Sequence, residues 1–155
     1  MKIYMDTCCY SRPFDNRAHY AQERVRQEIT AIMDAVRMCG MSGSPVFGSV
    51  VVSAEIDDIG DYGKRERVRG FYGEVISEEL KITDGVTVRA QELNALGFGA
   101  RDAYHAAFAE AVGAAYLLTT DDRFERAAAR AALKTKVINP INFLGEYLIW
   151  QLSLT

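Results

Sequence analysis

The stretch Lys2–Thr7, KIYMDT, sets the strongest constraint on what this chain can fold into. Alternating and β-branched apolar residues fill so few positions before the Asp-Thr stop that the stretch predicts a buried strand, with Asp6 pushed out at its carboxyl edge. In open α/β sheets, ligands gather outside the carboxyl ends of the strands, at the point where strand order reverses. Asp6 is therefore expected at the mouth of a sheet, where carboxylates from later stretches can join it.

Cys8 to Asn16, with Pro13 and an Asp-Asn pair, predict a loop. From Arg17 to Met38, Tyr20, Val25, Ile29, Ile32, Met33 and Val36 recur at three-to-four spacing, which predicts an amphipathic helix ended by Gly40. Val46 and Phe47 form the centre of a short second strand. Ser49 then either caps a helix over 50–59 that carries Glu55, or lies in a strand over 46–53 with Glu55 just past its end. The run is short and β-branched, so periodicity allows both. A charged helix over 64–79 turns Val68, Phe71, Tyr72 and Val75 inward, and 80–83 make an edge strand. Helices over 87–96 and 101–112 are parted by Gly97 and Gly99. Tyr116–Thr119 is another buried strand, followed by Thr120, Asp121 and Asp122. An Ala-rich helix over 124–133, a last strand over 136–138 and a helix opened by Pro140 and ending near Leu152 complete the order. Strands alternating with helices argue for an α/β fold, a parallel sheet covered on both faces.

The 155 residues suit one domain over 1–155 with a real core, and 49% apolar with 25% charged residues is ordinary globular composition. No run of eighteen apolar residues and no long apolar leader is present, so a cytoplasmic protein with no membrane segment is expected. Cys8, Cys9 and Cys39 are an odd count without a second spaced cluster, which argues against a disulfide framework or a thiolate metal site. Cys8 and Cys9 read as small residues filling a loop-to-helix junction. A net charge of -3 lacks the basic excess of a tight, passive nucleic-acid binder. An enzyme that touches RNA briefly, with its acids gathered in one pocket, fits that charge.

Asp6 and Asp121 each follow a predicted strand and meet at the carboxyl edge if those strands are neighbours. Asp102 opens a helix just before the second of these strands, where its charge suits the helix N-terminus. Glu55 comes from an early helix or strand end. Taken singly, each acid reads as a cap, a turn residue or a solvated side chain. Taken together they are four carboxylates in one pocket, and like charges raise one another's pKa unless a cation joins them. Clustered carboxylate oxygens without a thiolate pair suit Mg2+ or Mn2+. One or two such ions activate water and stabilise charge developing on a phosphate.

With KIYMDT and the following SRPFD, then GSVVVSAEI, ARDAYHAAFAEAVGA, YLLTTDDRF and VINP in this order, the sequence resembles the PIN-domain family. That family comprises metal-dependent nucleases and includes VapC-type toxins of toxin–antitoxin pairs. The resemblance implies a three-layer α/β/α sandwich around a parallel central sheet. It places Asp6, Glu55, Asp102 and Asp121 as the acids of the catalytic and metal site, with Asp122 an adjacent candidate for the last. Thr7 and Thr119 or Thr120 match hydroxyl positions that support the acids. It implies endonucleolytic cleavage of single-stranded RNA, with an antitoxin protein and a second copy of the chain as partners. Asp6, Asp102 and Asp121 would hold the metal directly, and Glu55 directly or through water. Arg12, Arg101 and Arg123 stand near these acids and are candidates for substrate phosphates, though Arg12 and Arg101 also read as surface residues. The chain departs from the family pattern at Cys9, where many members have a small polar residue, and in the Asp57-Asp58 pair beside Glu55.

His105, one turn after Asp102, shares its helix face and reads as a core or ligand-supporting histidine rather than a general base. The run from Lys64, KRERVR, reads as a solvated helix face, and Tyr147, Leu148 and Trp150 as core. Two other classes stand beside the nuclease. A catalytically inactive PIN-like module would bind metal weakly or not at all. A phospho-accepting receiver also sets acids at strand ends, but would need its acidic pair after the first strand and a lysine near the last. Here the acidic pair comes late, and Lys134 and Lys136 precede or enter the last strand.

Overall fold

The structure, a computed structural model, describes residues 1–16 and 18–155, with every side chain among them except that of His19. Its strands and helices alternate in the order β1 (Ile3–Met5), α1 (Thr7–Ser11), α2 (Glu23–Ser42), β2 (Val46–Ser49), α3 (Val50–Asp57), α4 (Tyr62–Val75), β3 (Glu78–Leu80), α5 (Asp84–Ala95), α6 (Ala100–Val112), β4 (Tyr116–Leu118), α7 (Asp122–Ala129), β5 (Lys136–Ile138) and α8 (Pro140–Ser153). The five strands form one parallel sheet ordered β3-β2-β1-β4-β5. Helices flank it in the expected α/β/α arrangement, α2 lying against α8 and α5 against α6.

Strand order runs down to β1 and then jumps to β4, so the switch point lies between them. Tyr4 pairs with Leu117 and Met5 with Leu118, and the Asp6 N–H still donates to the Leu118 carbonyl at 2.9 Å. Ile3, Tyr4, Met5, Leu117 and Leu118 are fully buried, as strands covered on both faces require. Burying an apolar side chain the size of Ile3 or Met5 contributes about 1.5–3 kcal/mol. The core therefore grips the backbone immediately below Asp6.

Several boundaries differ from the sequence expectation. Residues 8–14 are helical, not a loop: α1 is followed by a 3-10 turn at Arg12–Phe14, because Cys9 and Tyr10 are drawn into the core, and only Asp15 and Asn16 are irregular. Arg17, where the sequence starts the next helix, lies outside the described residues. Tyr20 falls in a 3-10 turn, and regular helix begins only at Glu23. That helix continues through Gly40 to Ser42, since buried Cys39 still faces the core, and Gly43 at φ +71° supplies the left-handed cap. Met33 is exposed rather than part of the buried stripe, and on α8 Leu148 is exposed while Tyr147 is buried.

Ser49 caps α3, accepting from the Val52 N–H at 3.3 Å, so the helical alternative for Glu55 is the one adopted. The edge strand sits at Glu78–Leu80 instead of 80–83, and α4 stops early to allow it. Ser77 N–H donates to Val46 O at 2.8 Å, and Thr83 is used as the N-cap of α5. Asp121 likewise caps α7, which starts two residues before and ends four before the expected 124–133. Among the described residues no helix is long and apolar enough to cross a membrane.

Gly48 in β2 makes room for Tyr72. A Cβ at Gly48 would fall inside the Tyr72 hydroxyl and ring, which are fixed by a bond to Glu79 at 2.8 Å and by edge-on contact with Tyr10. Gly48→Ala is expected to lower stability by about 1–3 kcal/mol. Urea unfolding of the two proteins checks this, and an unchanged midpoint would contradict it.

Candidate metal centre

Asp6 follows β1, and its carboxyl-bearing side chain is buried. Thr119, directly after β4, donates its hydroxyl to Asp6 Oδ2 at 2.9 Å, and the Cys8 thiol donates to the same oxygen at 3.3 Å. Thr119 Oγ1 also accepts from the Asp121 N–H at 3.1 Å. One threonine thus joins the two strand ends that carry the acids. Of the two expected hydroxyls it is Thr119 that touches the acid, whereas Thr120 accepts from Arg12 Nη2 at 3.2 Å.

Glu55 reaches this point from α3. Its Oε1 accepts from Thr7 Oγ1 at 3.0 Å and lies 2.5 Å from His105 Nε2, which is 3.3 Å from Asp6 Oδ1. The neighbouring acids turn elsewhere: Asp57 pairs with Arg69 at 2.5 Å and Asp58 with Arg101 at 3.0 Å. Arg101 is exposed and reaches within 3.8 Å of Glu55 Oε2.

His105 is fully buried, one turn along α6 from Asp102. Its Nδ1 meets the Tyr4 hydroxyl at 2.7 Å, and that hydroxyl meets Ser49 Oγ at 2.7 Å. A polar chain therefore runs from the cap of α3 to the acids. Burial disfavours the imidazolium, but the charge of Asp6 and the bond to Glu55 outweigh it, and the His105 pKa rises. Burial pushes Glu55 up, but the His105 hydrogen bond and charge, Thr7 and Arg101 bring it below the ordinary value. Both directions have the contact between these two side chains among their causes. Tyr4 was legible only indirectly, as the residue two before Asp6 on the same strand face.

Asp102 lies in the first turn of α6 and is half-buried. Burial, then the charges of Asp6 and Asp121, raise it to about 6, with Glu55 adding to them and His105 opposing. The other three acids named from sequence, Asp6, Glu55 and Asp121, are thus within electrostatic reach of Asp102, though only Asp6 and Glu55 of the four lie in one compact cluster, with His105. Asp121 is exposed, and its Oδ1 accepts from the Arg123 and Phe124 N–H groups at 2.9 and 3.3 Å, which leaves Oδ2 for another partner. Asp122 turns outward and is held by Arg24, whose two terminal nitrogens meet its oxygens at 3.1 and 2.6 Å. The Arg123 side chain is exposed.

Asp6, Glu55 and His105 each offer a ligand atom within 4.8 Å of the others. Carboxylate oxygens dominate, with one imidazole nitrogen, and Asp102, raised by burial and then by its like-charged neighbours, stands within electrostatic reach. That donor set fits a hard or borderline divalent cation, which relieves the repulsion.

Residues 3–130 match the family model of the PIN domain, and the chain belongs to that family. The fold is similar to that of a chain of VapBC2 from Rickettsia felis, in a crystal structure bound to a DNA fragment from their promoter. The likeness has a TM-score of 0.59 at 15% identity and covers 90% of this chain and 98% of that one. No curated protein matches in sequence.

The Asp102 shift has a consequence for stability. A carboxyl raised on folding contributes fully below its unfolded pKa, and that contribution is lost as pH rises through the folded value. From the usual 3.8 to about 6, the window is roughly pH 4 to 6. In EDTA, Asp102→Asn is expected to be more stable than the parent above pH 6, by about 1 kcal/mol after discounting for solvent around a half-buried group, and no more stable at pH 4. Thermal melts across that range test it; a variant less stable at pH 7.5 would contradict the assignment.

Proposed function

We propose that residues 1–155 form one nuclease domain that hydrolyses phosphodiester bonds of single-stranded RNA, with Mg2+ or Mn2+ as cofactor, as the toxin of a toxin–antitoxin pair. The observation that carries this reading is the gathering of Asp6, Glu55 and His105 at the sheet's switch point, with Asp102 close enough for the charges of Asp6 and Asp121 to add to the effect of burial in raising it. PIN-family membership and the fold shared with a chain of VapBC2 support it.

In this reading Asp6, Asp102 and Asp121 Oδ2 bind the cation, with Glu55 beside them. Asp122, turned to Arg24, does not serve the site. A divalent ion held there would supply an activated water and charge stabilisation at the leaving oxygen. Thr119, Cys8 and Thr7 orient the oxygens of Asp6 and Glu55 by donating to them. His105 fixes the Glu55 carboxylate and offsets its charge. Arg101 and Arg123, both exposed at the rim, are placed to steer substrate phosphates. An antitoxin protein and a second copy of the chain are the proposed protein partners, and the cytoplasm is the proposed compartment.

The test is cleavage of an end-labelled single-stranded RNA by the parent and Asp6→Asn, with Mn2+ and with excess EDTA. Cleavage that needs the metal and falls more than about a hundredfold in the variant is the expected result. Equal cleavage by both proteins, or cleavage in EDTA, would overturn the site. No cleavage together with no Mn2+-dependent rise in melting temperature would leave a PIN-like binding module instead.

A further inference from the structure

Outside the acidic site, Glu28 on α2 is the most deeply buried charged side chain among the described residues, only 2% exposed. Its Oε2 accepts from Asn139 Nδ2 at 2.7 Å, the asparagine that caps α8. Two guanidiniums meet the same carboxylate: Arg12 Nε lies 3.5 Å from Oε1, and Arg24 Nε 3.7 Å from Oε2. Each then extends to the turn after β4. Arg12 Nη2 donates to Thr120, while its Nη1 is held by Asp15 at 3.0 Å. Arg24 grips both oxygens of Asp122. The residues on either side of Asp121 are therefore each bonded to a guanidinium whose Nε faces one buried carboxylate across an ion pair of 3.5 or 3.7 Å, without a hydrogen bond to it.

Stability alone does not ask for this arrangement. Desolvating a carboxylate and a guanidinium commonly costs as much as their attraction returns, and an apolar filling of the same space is often as stable. One cation would satisfy Glu28, yet two are present, and the planar fork of each is what fixes a second point in space. We propose that Glu28 is a positioning residue: through Arg12 and Arg24 it sets the turn 120–122 and so the place of the Asp121 carboxylate opposite Asp6. The proposal rests on the nuclease reading for its purpose, but its geometry can be measured without substrate.

Amide hydrogen exchange at Arg123 and Phe124, whose N–H groups are held by Asp121 Oδ1, reads the turn directly, and Mn2+ binding followed by electron paramagnetic resonance reads the site. Glu28→Gln keeps the shape and an acceptor for Asn139 but removes the charge. It is expected to speed exchange at those two amides about tenfold and to weaken Mn2+ binding about 10–100-fold, with the amides of α2 still protected. Arg24→Ala alters a half-exposed side chain that the fold tolerates, so it keeps the test open if the first variant fails to fold. It should move both readouts the same way by a smaller factor. Added to Asp121→Asn, Glu28→Gln should weaken Mn2+ binding no further, because both act through one residue. Folded variants with unchanged exchange and unchanged Mn2+ affinity, or additive losses in the double variant, would overturn the positioning role. A parent that binds no Mn2+ would instead overturn the nuclease reading, and the exchange comparison would still decide whether Glu28 holds the turn.

Discussion

Asp6 leaves β1 where strand order jumps to β4, and its N–H remains in the ladder through the Leu118 carbonyl while its side chain takes the Thr119 hydroxyl. That pair of bonds ties the two acid-bearing strand ends to each other. Everything else about the site depends on it, because carboxylates repel and do not assemble unaided. The attraction that gathers them comes from below, in the buried Ile3, Tyr4 and Met5 against Leu117 and Leu118. Apolar burial of several kcal/mol per strand is large enough to hold acids at close quarters.

The fold manages the remaining repulsion with fixed donors. His105 sits between Asp6 and Glu55, with its other ring nitrogen on Tyr4, and Tyr4 in turn meets Ser49. Ser49 is also the cap of α3, so one residue both starts the helix bearing Glu55 and anchors the chain of groups that orients it. Threonines 7 and 119 and the Cys8 thiol complete the donors. Among the described residues Asp102 has no comparable donor, and burial together with the charges of Asp6 and Asp121 raises its pKa. A divalent cation is the natural complement to a site balanced in this way.

Much of this was legible in the sequence because it rests on local chemistry. KIYMDT gave away a buried strand through its apolar run and stop, Lys136–Ile138 and Pro140 did the same for the last strand and helix, and the acids follow strand ends or open a helix. The missed features are those decided by distant partners. Cys9 and Tyr10 fold residues 8–11 into a helix because the core has room for them. The helix α2 passes Gly40 because Cys39 is buried against the sheet. β3 takes its place from pairing with β2, which no periodicity reports. Glu28 carries no local signal, and the direction taken by Asp122, the adjacent candidate to Asp121, is set by a distant partner, Arg24, which lies against both Glu28 and Asp122. Asp102 and His105, three apart on one helix face, were the local signal for the imidazole.

The central claim is that these carboxylates share one divalent cation, and anomalous diffraction from crystals soaked in Mn2+ tests it most directly. The account predicts a peak within coordination distance of Asp6 and of at least one of Glu55, Asp102 and Asp121. A map without a peak there, or with manganese bound only at other surface acids, would contradict it.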